Sequence, residues 1–374
     1  MSSSLLKMFS FAKTVISRGQ DKAFFVFNPA AVRQAIETWK LNLPTVTPFY
    51  ALKANDHPMV LDTIRESIVN IDCASKREME RTAKHMGTLE NCIYSHPCKD
   101  INHLLFARDN GLTLTVVDSV EEVHKIRDVF PEARFLCRIA VSNEYSRVLL
   151  GNKFGCSREK LEAIIEAASG MNLCGVSFHV GSACNEPSGF QNALEQAHEA
   201  CATMKDRGVT ANIVNLGGGY TTQLFEGMST RIRQCLQPDI IYMAEPGRLF
   251  VETSFSLFMK ITSKRQLVDD IMEYTVNDGL YGALNNIVYD KFPAQLYPFC
   301  TKEGGDHFEE GEHVARFWGP SCDGLDIITP APISFVNMEV GDWVYVPNAG
   351  AYINPGAEFN GFPKADYYNL ATDS

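Results

Sequence analysis

Between about residue 46 and residue 247, short apolar or β-branched runs alternate with amphipathic stretches whose apolar positions recur with a period near 3.6. The runs are VTPFYAL (46–52), VNIDC (69–73), CIYSH (92–96), LTLTVVD (112–118), RFLCRIA (134–140), CGVSFHV (174–180), NIVNLGG (212–218) and DIIYMAE (239–245). Helical patterns such as HPMVLDTIRESI, SKREMERTAKHMG and FQNALEQAHEACATMKDRG separate them, several opening on an N-cap Ser or Asp and closing on Gly. Eight strand-then-helix units predict an α/β fold of the (β/α)8 barrel type. A doubly wound open sheet is the competing arrangement. It usually has fewer strands and a phosphate-binding glycine turn after its first strand, and no such turn follows VTPFYAL.

After Gly247 the helical period fades. Strand-like runs (SFSLFMKIT, EYTVNDGLYG, HVARFWG, DWVYVPN) follow, broken by turn residues such as EGGD, TPAP and VGD. The expected organisation is a barrel over residues 28–254 and a β domain built from 1–27 and 255–374. The strand-like AFFVF (23–27) is the N-terminal piece that completes the β domain. The first 20 residues are basic, Ser-containing and free of acids, which fits either an organelle transit peptide or an amphipathic helix. The helix is the favoured reading, with Leu5, Leu6, Phe9, Phe11, Val15 and Ile16 on its apolar side. The polar stretch 301–312 is expected to be a solvated loop.

Composition narrows the function classes. Over 374 residues, 34 Lys and Arg against 45 Asp and Glu give a net charge of −11, which argues against nucleic-acid binding. No apolar run approaches the ~18 residues that span a bilayer. The 11 cysteines are odd in number, dispersed and without a CxxC pair. They therefore suit a reducing compartment, the cytoplasm, rather than a disulfide framework or a zinc site.

In a (β/α)8 barrel the chemistry sits at the C-terminal strand ends. Here those ends carry Lys53, Asp72, His96, Asp118, Arg138, His179, the run Gly217–Gly218–Gly219, and Glu245. The set lacks metal-ligand spacing and suits a site for a phosphate and a protonated heterocycle. Lys53 follows an apolar run, where desolvation would favour the neutral amine needed to form a Schiff base. The glycine run lets backbone N–H groups approach an anion, and EPGR (245–248) adds a carboxylate, a Pro-Gly turn and an Arg.

The motifs FYALKAN (49–55), DCAS (72–75), SFHVGS (177–182), GGGY, AEPGR, NDGLYG (277–282), WGPSCDGLD (318–326), GDWVY (341–345) and GAY…FNGF (350–362) resemble those of eukaryotic-type ornithine decarboxylases. These are fold type III, alanine-racemase-like enzymes dependent on pyridoxal 5′-phosphate, and the motifs keep the family's order over almost the whole chain. The resemblance implies a barrel plus a β domain, with Lys53 as the Schiff-base lysine and Glu245 as partner of the pyridine nitrogen. His179 would stack on the ring. Ser182, Gly217, Gly218, Gly219, Gly247, Arg248 and Tyr352 would hold the phosphate, with Asp72 and Arg138 lining the cofactor and Glu78 nearby. Racemases of this fold place an Arg near the ring nitrogen, so a carboxylate there favours decarboxylation.

The resemblance further implies a homodimer with shared sites. Cys322 would protonate the carbanion from the neighbouring subunit, Asp323 would bind the distal ammonium, and Lys153 would pair with Asp326 across the interface. Tyr289, Asp290 and Phe359 would complete the substrate pocket, with Asp290 favouring ornithine over arginine and diaminopimelate. An antizyme-like protein is a candidate regulator. No long tail follows FNGF, so turnover through such a tail is not expected.

Ala54, Ala183–Cys184, Asn215 and Lys291 depart from the usual pattern. Of these, Lys291 bears most on specificity, because it sets a cation beside Asp290. The rival readings are an arginine, lysine or diaminopimelate decarboxylase on the same scaffold and a non-catalytic decoy of the antizyme-inhibitor type. The decoy is disfavoured by the retention of Lys53, His179, Glu245, Cys322 and Asp323.

Overall fold

A computed structural model describes residues 3–371 apart from 143, 151–152, 268–269, 301–311 and 354–359. The chain divides into two compact units, one of residues Arg33–Phe250 and one of Met1–Val32 with Val251–Ser374. The predicted loop at 301–312 falls almost wholly outside the described residues.

The first unit is a closed barrel of eight parallel strands: Val46–Ala51, Asn70–Cys73, Cys92–Tyr94, Leu114–Val117, Arg134–Arg138, Asn172–Ser177, Ile213–Asn215 and Ile241–Ala244. Each lies inside or over one of the eight runs read from the sequence. The ring closes where Tyr242–Ala244 pairs with Val46–Pro48. Ile93, Val116, Leu136, Ile213 and Met243 fill the interior, so the barrel is a packed core.

The helix Pro29–Asn42 precedes the first strand and fixes its start. Its Trp39 is wholly buried, stacks on Phe225 and meets Tyr220 edge-on, while its indole N–H donates to the Val46 carbonyl at 2.9 Å. An aromatic group of that size buried with its polar atom satisfied contributes about 3–5 kcal/mol by the cost of its deletion.

The second unit is built on an eight-stranded sheet. Phe24–Phe27 is its N-terminal contribution, antiparallel to Phe255–Phe258 and parallel to Asp366–Asn369. The opening helix Ser3–Ser17 lays Met8, Phe11, Ala12 and Val15 on Phe24, Val26, Phe258, Phe299 and Trp343. The amphipathic reading of this segment is therefore correct except at Leu6, which is exposed. Among the described residues no helix is long and apolar enough to cross a membrane.

One local conflict stands out in the barrel unit. The helix Pro58–Glu66 ends on Ser67, and Ile68 beyond it has φ +54° and is 91% exposed. A β-branched side chain in the left-handed region costs about 1–2 kcal/mol, and this is the position where helices favour Gly. Ile68→Gly is expected to stabilise the chain by about 1 kcal/mol, raising the thermal midpoint by about 1–3 °C. A lowered midpoint in a calorimetric scan would contradict this account.

Candidate active site

Lys53 lies in a single 3-10 turn, Leu52–Ala54, directly after the first barrel strand. Its Nζ pairs with Asp72 Oδ2 at 2.7 Å; the lysine side chain is 40% exposed and that of Asp72 fully buried. The expected desolvation is therefore corrected: the Lys53 side chain is partly exposed, and its Nζ lies against a buried carboxylate. The other Asp72 oxygen accepts a short hydrogen bond from Ser95, a partner the sequence reading missed.

Glu78, assigned to the same neighbourhood, has a structural task. Its carboxylate accepts from the Ala74 N–H at 2.7 Å, and its own N–H donates to Ser75 Oγ at 3.3 Å. Ser75 thereby caps the helix Lys76–Met86, while the Glu78 carboxylate reaches past it to the N–H of the residue before the cap. Burial pushes its carboxyl upward.

Glu245 follows the last strand and is buried. Burial first, then the nearby Asp72 charge, pushes its carboxyl up to about 7, against the opposing pull of Lys53, Asn215 and Arg138. Asn215 Nδ2 donates to Glu245 Oε1 at 2.6 Å while Asn215 Oδ1 accepts from the Gly217 N–H at 2.9 Å. The position noted only as a departure is thus a bridge between the carboxylate and the glycine turn.

Gly217 has φ +61°, and a Cβ there would strike the Phe178 carbonyl oxygen. A Cβ on Gly218 would come within 2.9 Å of His179 Nε2. The turn therefore has a conformation and a closeness that side chains would destroy. His179 Nδ1 accepts from the Gly181 N–H at 3.0 Å. Burial, then Arg138 and Lys53, drives its pKa well below the usual value, so the ring is neutral at physiological pH. Arg248, itself buried, donates to Ser182 Oγ at 3.0 Å. Ser182 is followed by Ala183 with φ +52°, a left-handed backbone at a predicted phosphate ligand. The Arg138 guanidinium lies 5.2 Å from the centroid of the Phe154 ring, a contact the sequence reading did not foresee.

The barrel unit thus gathers Lys53, Asp72, Arg138, His179 and Glu245 into one electrostatic group, with the Gly217–Gly219 turn against His179. Arg248 and Ser182 form a second, hydrogen-bonded pair. Gly247 precedes Arg248, and a Cβ there would come within 2.9 Å of that of Ala54. A small residue at 54, another departure, is thus part of a tight contact.

The remaining candidates belong to the sheet unit. Asp290 is 6% exposed at the end of the short helix Asn286–Tyr289, while Tyr289 and Lys291 are exposed and Lys291 has φ +52°. Tyr352 also has a left-handed backbone, φ +58°. Phe359 lies outside the described residues. Cys322 is an exposed free thiol, and Asp323 accepts a short hydrogen bond from the Tyr281 hydroxyl. Asp326 is 1% exposed, its oxygens taken by the N–H groups of Leu280 at 2.8 Å and Ser321 at 3.0 Å. A Cβ on Gly279 would lie against the same carboxylate. Asp326, implied as the cross-subunit partner of Lys153, thus also anchors the cysteine loop within its own chain, and Lys153 lies 5.0 Å from the Phe154 ring centroid.

Residues 29–252 match the family described as pyridoxal-dependent decarboxylase, pyridoxal binding domain. The chain is 35% identical to an ornithine decarboxylase of Schizosaccharomyces pombe, covering 94% of this chain and 84% of that one. The arginine decarboxylase of Paramecium bursaria Chlorella virus superposes with a TM-score of 0.91 at 31% identity, covering 97% and 100% of the two chains. A lysine decarboxylase from Selenomonas ruminantium gives 0.86 at 27% identity, over 96% and 95%.

Glu245 yields a test that needs no substrate. Its pKa of about 7 lies above the ordinary 4.5, so between those values the folded chain holds a proton that the unfolded chain has lost. Its contribution is full below about pH 4.5 and lost as pH rises to about 7. The stability advantage of the wild type over Glu245→Gln should therefore fall by up to ~3 kcal/mol between about pH 5 and 7, then level. A difference that stays constant in denaturant titrations across that range would refute the assignment.

Proposed function

The chain belongs to the pyridoxal-dependent decarboxylase family, and from that footing we propose that it decarboxylates L-ornithine to putrescine, a step of polyamine biosynthesis. The cofactor is pyridoxal 5′-phosphate. The residues of the barrel unit fit it: an amine at Lys53, a buried carboxylate at Glu245, and a turn whose Gly217 a Cβ would obstruct. When bound, the cofactor supplies an electron sink for the pair left behind as CO2 departs.

The chain's own groups have separable tasks in this reading. Asp72 orients Lys53 Nζ and is placed to exchange a proton with it. Glu245 would face the ring nitrogen and, its carboxyl already pushed up to about 7 by burial, would be able to share a proton with it. His179, being uncharged, offers a flat ring face without adding positive charge. Arg248, Ser182, Gly217, Gly218, Gly219, Gly247 and Tyr352 are assigned to the phosphate, and Arg138 to the cofactor's surroundings. The observation that carries the proposal is the buried Glu245, because protonation of the ring nitrogen is what makes carbanion formation accessible.

Substrate choice is assigned to Asp290 and Asp323, two carboxylates for one distal ammonium, with Tyr289 and Phe359 beside them. Asp290 is itself buried, with an exposed Lys291 next to it in the chain. Cys322 is assigned the protonation of the carbanion and, with Asp323, is proposed to act from the second subunit of a homodimer. The free thiols support a reducing compartment, the cytoplasm. The fit to arginine and lysine decarboxylase structures favours a second reading, the same chemistry on a longer substrate.

The test is incubation of the cofactor-loaded chain with ornithine, lysine and arginine separately, with CO2 and amine measured. Ornithine should give putrescine with the largest kcat/KM, and Asp290→Glu should reduce that value about tenfold or more relative to the longer substrates. A preference for arginine or lysine would select the second reading. If sites are shared, mixing equal amounts of Lys53→Ala and Cys322→Ala subunits should restore about a quarter of wild-type activity, since half the dimers then carry one intact site. No recovery after verified subunit exchange would count against the shared site.

A further inference from the structure

Asn215, Gly217 and Glu245 form a closed ring of hydrogen bonds within the barrel unit. Gly217 donates its N–H to Asn215 Oδ1 at 2.9 Å and accepts from the Glu245 N–H at 2.8 Å. Asn215 Nδ2 closes the ring onto Glu245 Oε1 at 2.6 Å, and Asn215 has no exposed surface. The amide has one tenable orientation. Flipping it would set its oxygen against a carboxylate oxygen and its NH2 against the Gly217 N–H, leaving both contacts repulsive.

We propose that Asn215 is a positioning residue that aims Glu245 at the cofactor's ring nitrogen, leaving Oε2 as the oxygen that meets it. This inference rests on the cofactor reading above and goes beyond it, because neither the glycine turn nor the carboxylate alone requires an amide at 215. A carboxylate there could still accept from Gly217, but it would put a second anion beside Glu245, and the two would have to share a proton. Asn215 supplies a donor that carries no charge, so the Glu245 anion is favoured where burial and Asp72 oppose it. The other groups facing Glu245 are Lys53 after the first strand, Asp72 on the second, Arg138 at the end of the fifth and the Tyr220 hydroxyl after the glycine turn. Among these groups, Asn215 is a neutral donor whose 2.6 Å hydrogen bond fixes the direction of the carboxylate.

The experiment compares two ligands on the full-length, cofactor-free chain: pyridoxal 5′-phosphate and its analogue with C–H in place of the ring nitrogen. Asn215→Ala should weaken binding of pyridoxal phosphate about tenfold, the worth of a hydrogen bond to a charged group, and binding of the analogue less than about threefold. Equal losses for both ligands would reduce Asn215 to a support of the phosphate turn and overturn the inference. Asn215→Asp, nearly the same shape, guards against a misfolded alanine variant. Relative to wild type, its deficit for pyridoxal phosphate should grow about tenfold from pH 6.5 to 8.5, as the shared proton is lost, with no such trend for the analogue. A deficit independent of pH would also overturn the inference. Failure of the wild type to bind either ligand would instead sink the cofactor reading on which it rests.

Discussion

The barrel mouth is organised around a carboxylate that has almost no water to stabilise its charge. Glu245 sits at the end of the last strand with Asp72 as an unfavourable neighbour, and its ionisation depends on what the surrounding strands supply. Lys53 and Arg138 provide positive charge and Asn215 a fixed donor. Each comes from a different strand end, so the electrostatic balance exists only once the sheet has closed. Closure brings residues 53, 72, 138, 215 and 245 to one rim, as eight parallel strands with one sense of chain direction must. The chemistry proposed for this site depends on that ring more than on any single side chain.

Most of the barrel was legible because its signals are local and repeated. Alternating apolar runs and helical periods report burial directly, and all eight barrel strands lie where those runs placed them. The amphipathic first helix was legible for the same reason, save for Leu6, whose angular position on the helix leaves it outside the contact with the sheet. Lys53 was misjudged in its environment, since an apolar approach along the chain says nothing about Asp72 arriving from the next strand. Desolvation is a three-dimensional property, and here an anion 2.7 Å away outweighs the sequence neighbours.

Three other positions show what a linear reading loses. Glu78 carries the type and location of a functional acid, and it also ties down the Ala74 N–H beside the Ser75 cap of its helix, a local task the linear reading did not show. Asn215 was visible only as a substitution, and its role appears once Gly217 and Glu245 are seen on either side of it. Asp326 was read as an interface residue, and the linear reading did not show that each of its oxygens also holds a backbone donor of the sheet unit. In each case the residue type was read correctly while its partner, distant or unsuspected, decided the task.

The anchoring of Asp326 joins two segments that are far apart in the chain. Its carboxylate accepts from Leu280 in one and Ser321 in the other, and it occupies the space that side chains at Gly279 and Gly319 would need. The cysteine-bearing turn and the NDGLYG turn are therefore one mechanical part encoded in two places. Grafting the former onto another scaffold, or diversifying it by directed evolution, must carry the latter along, because neither half is shaped without its counterpart.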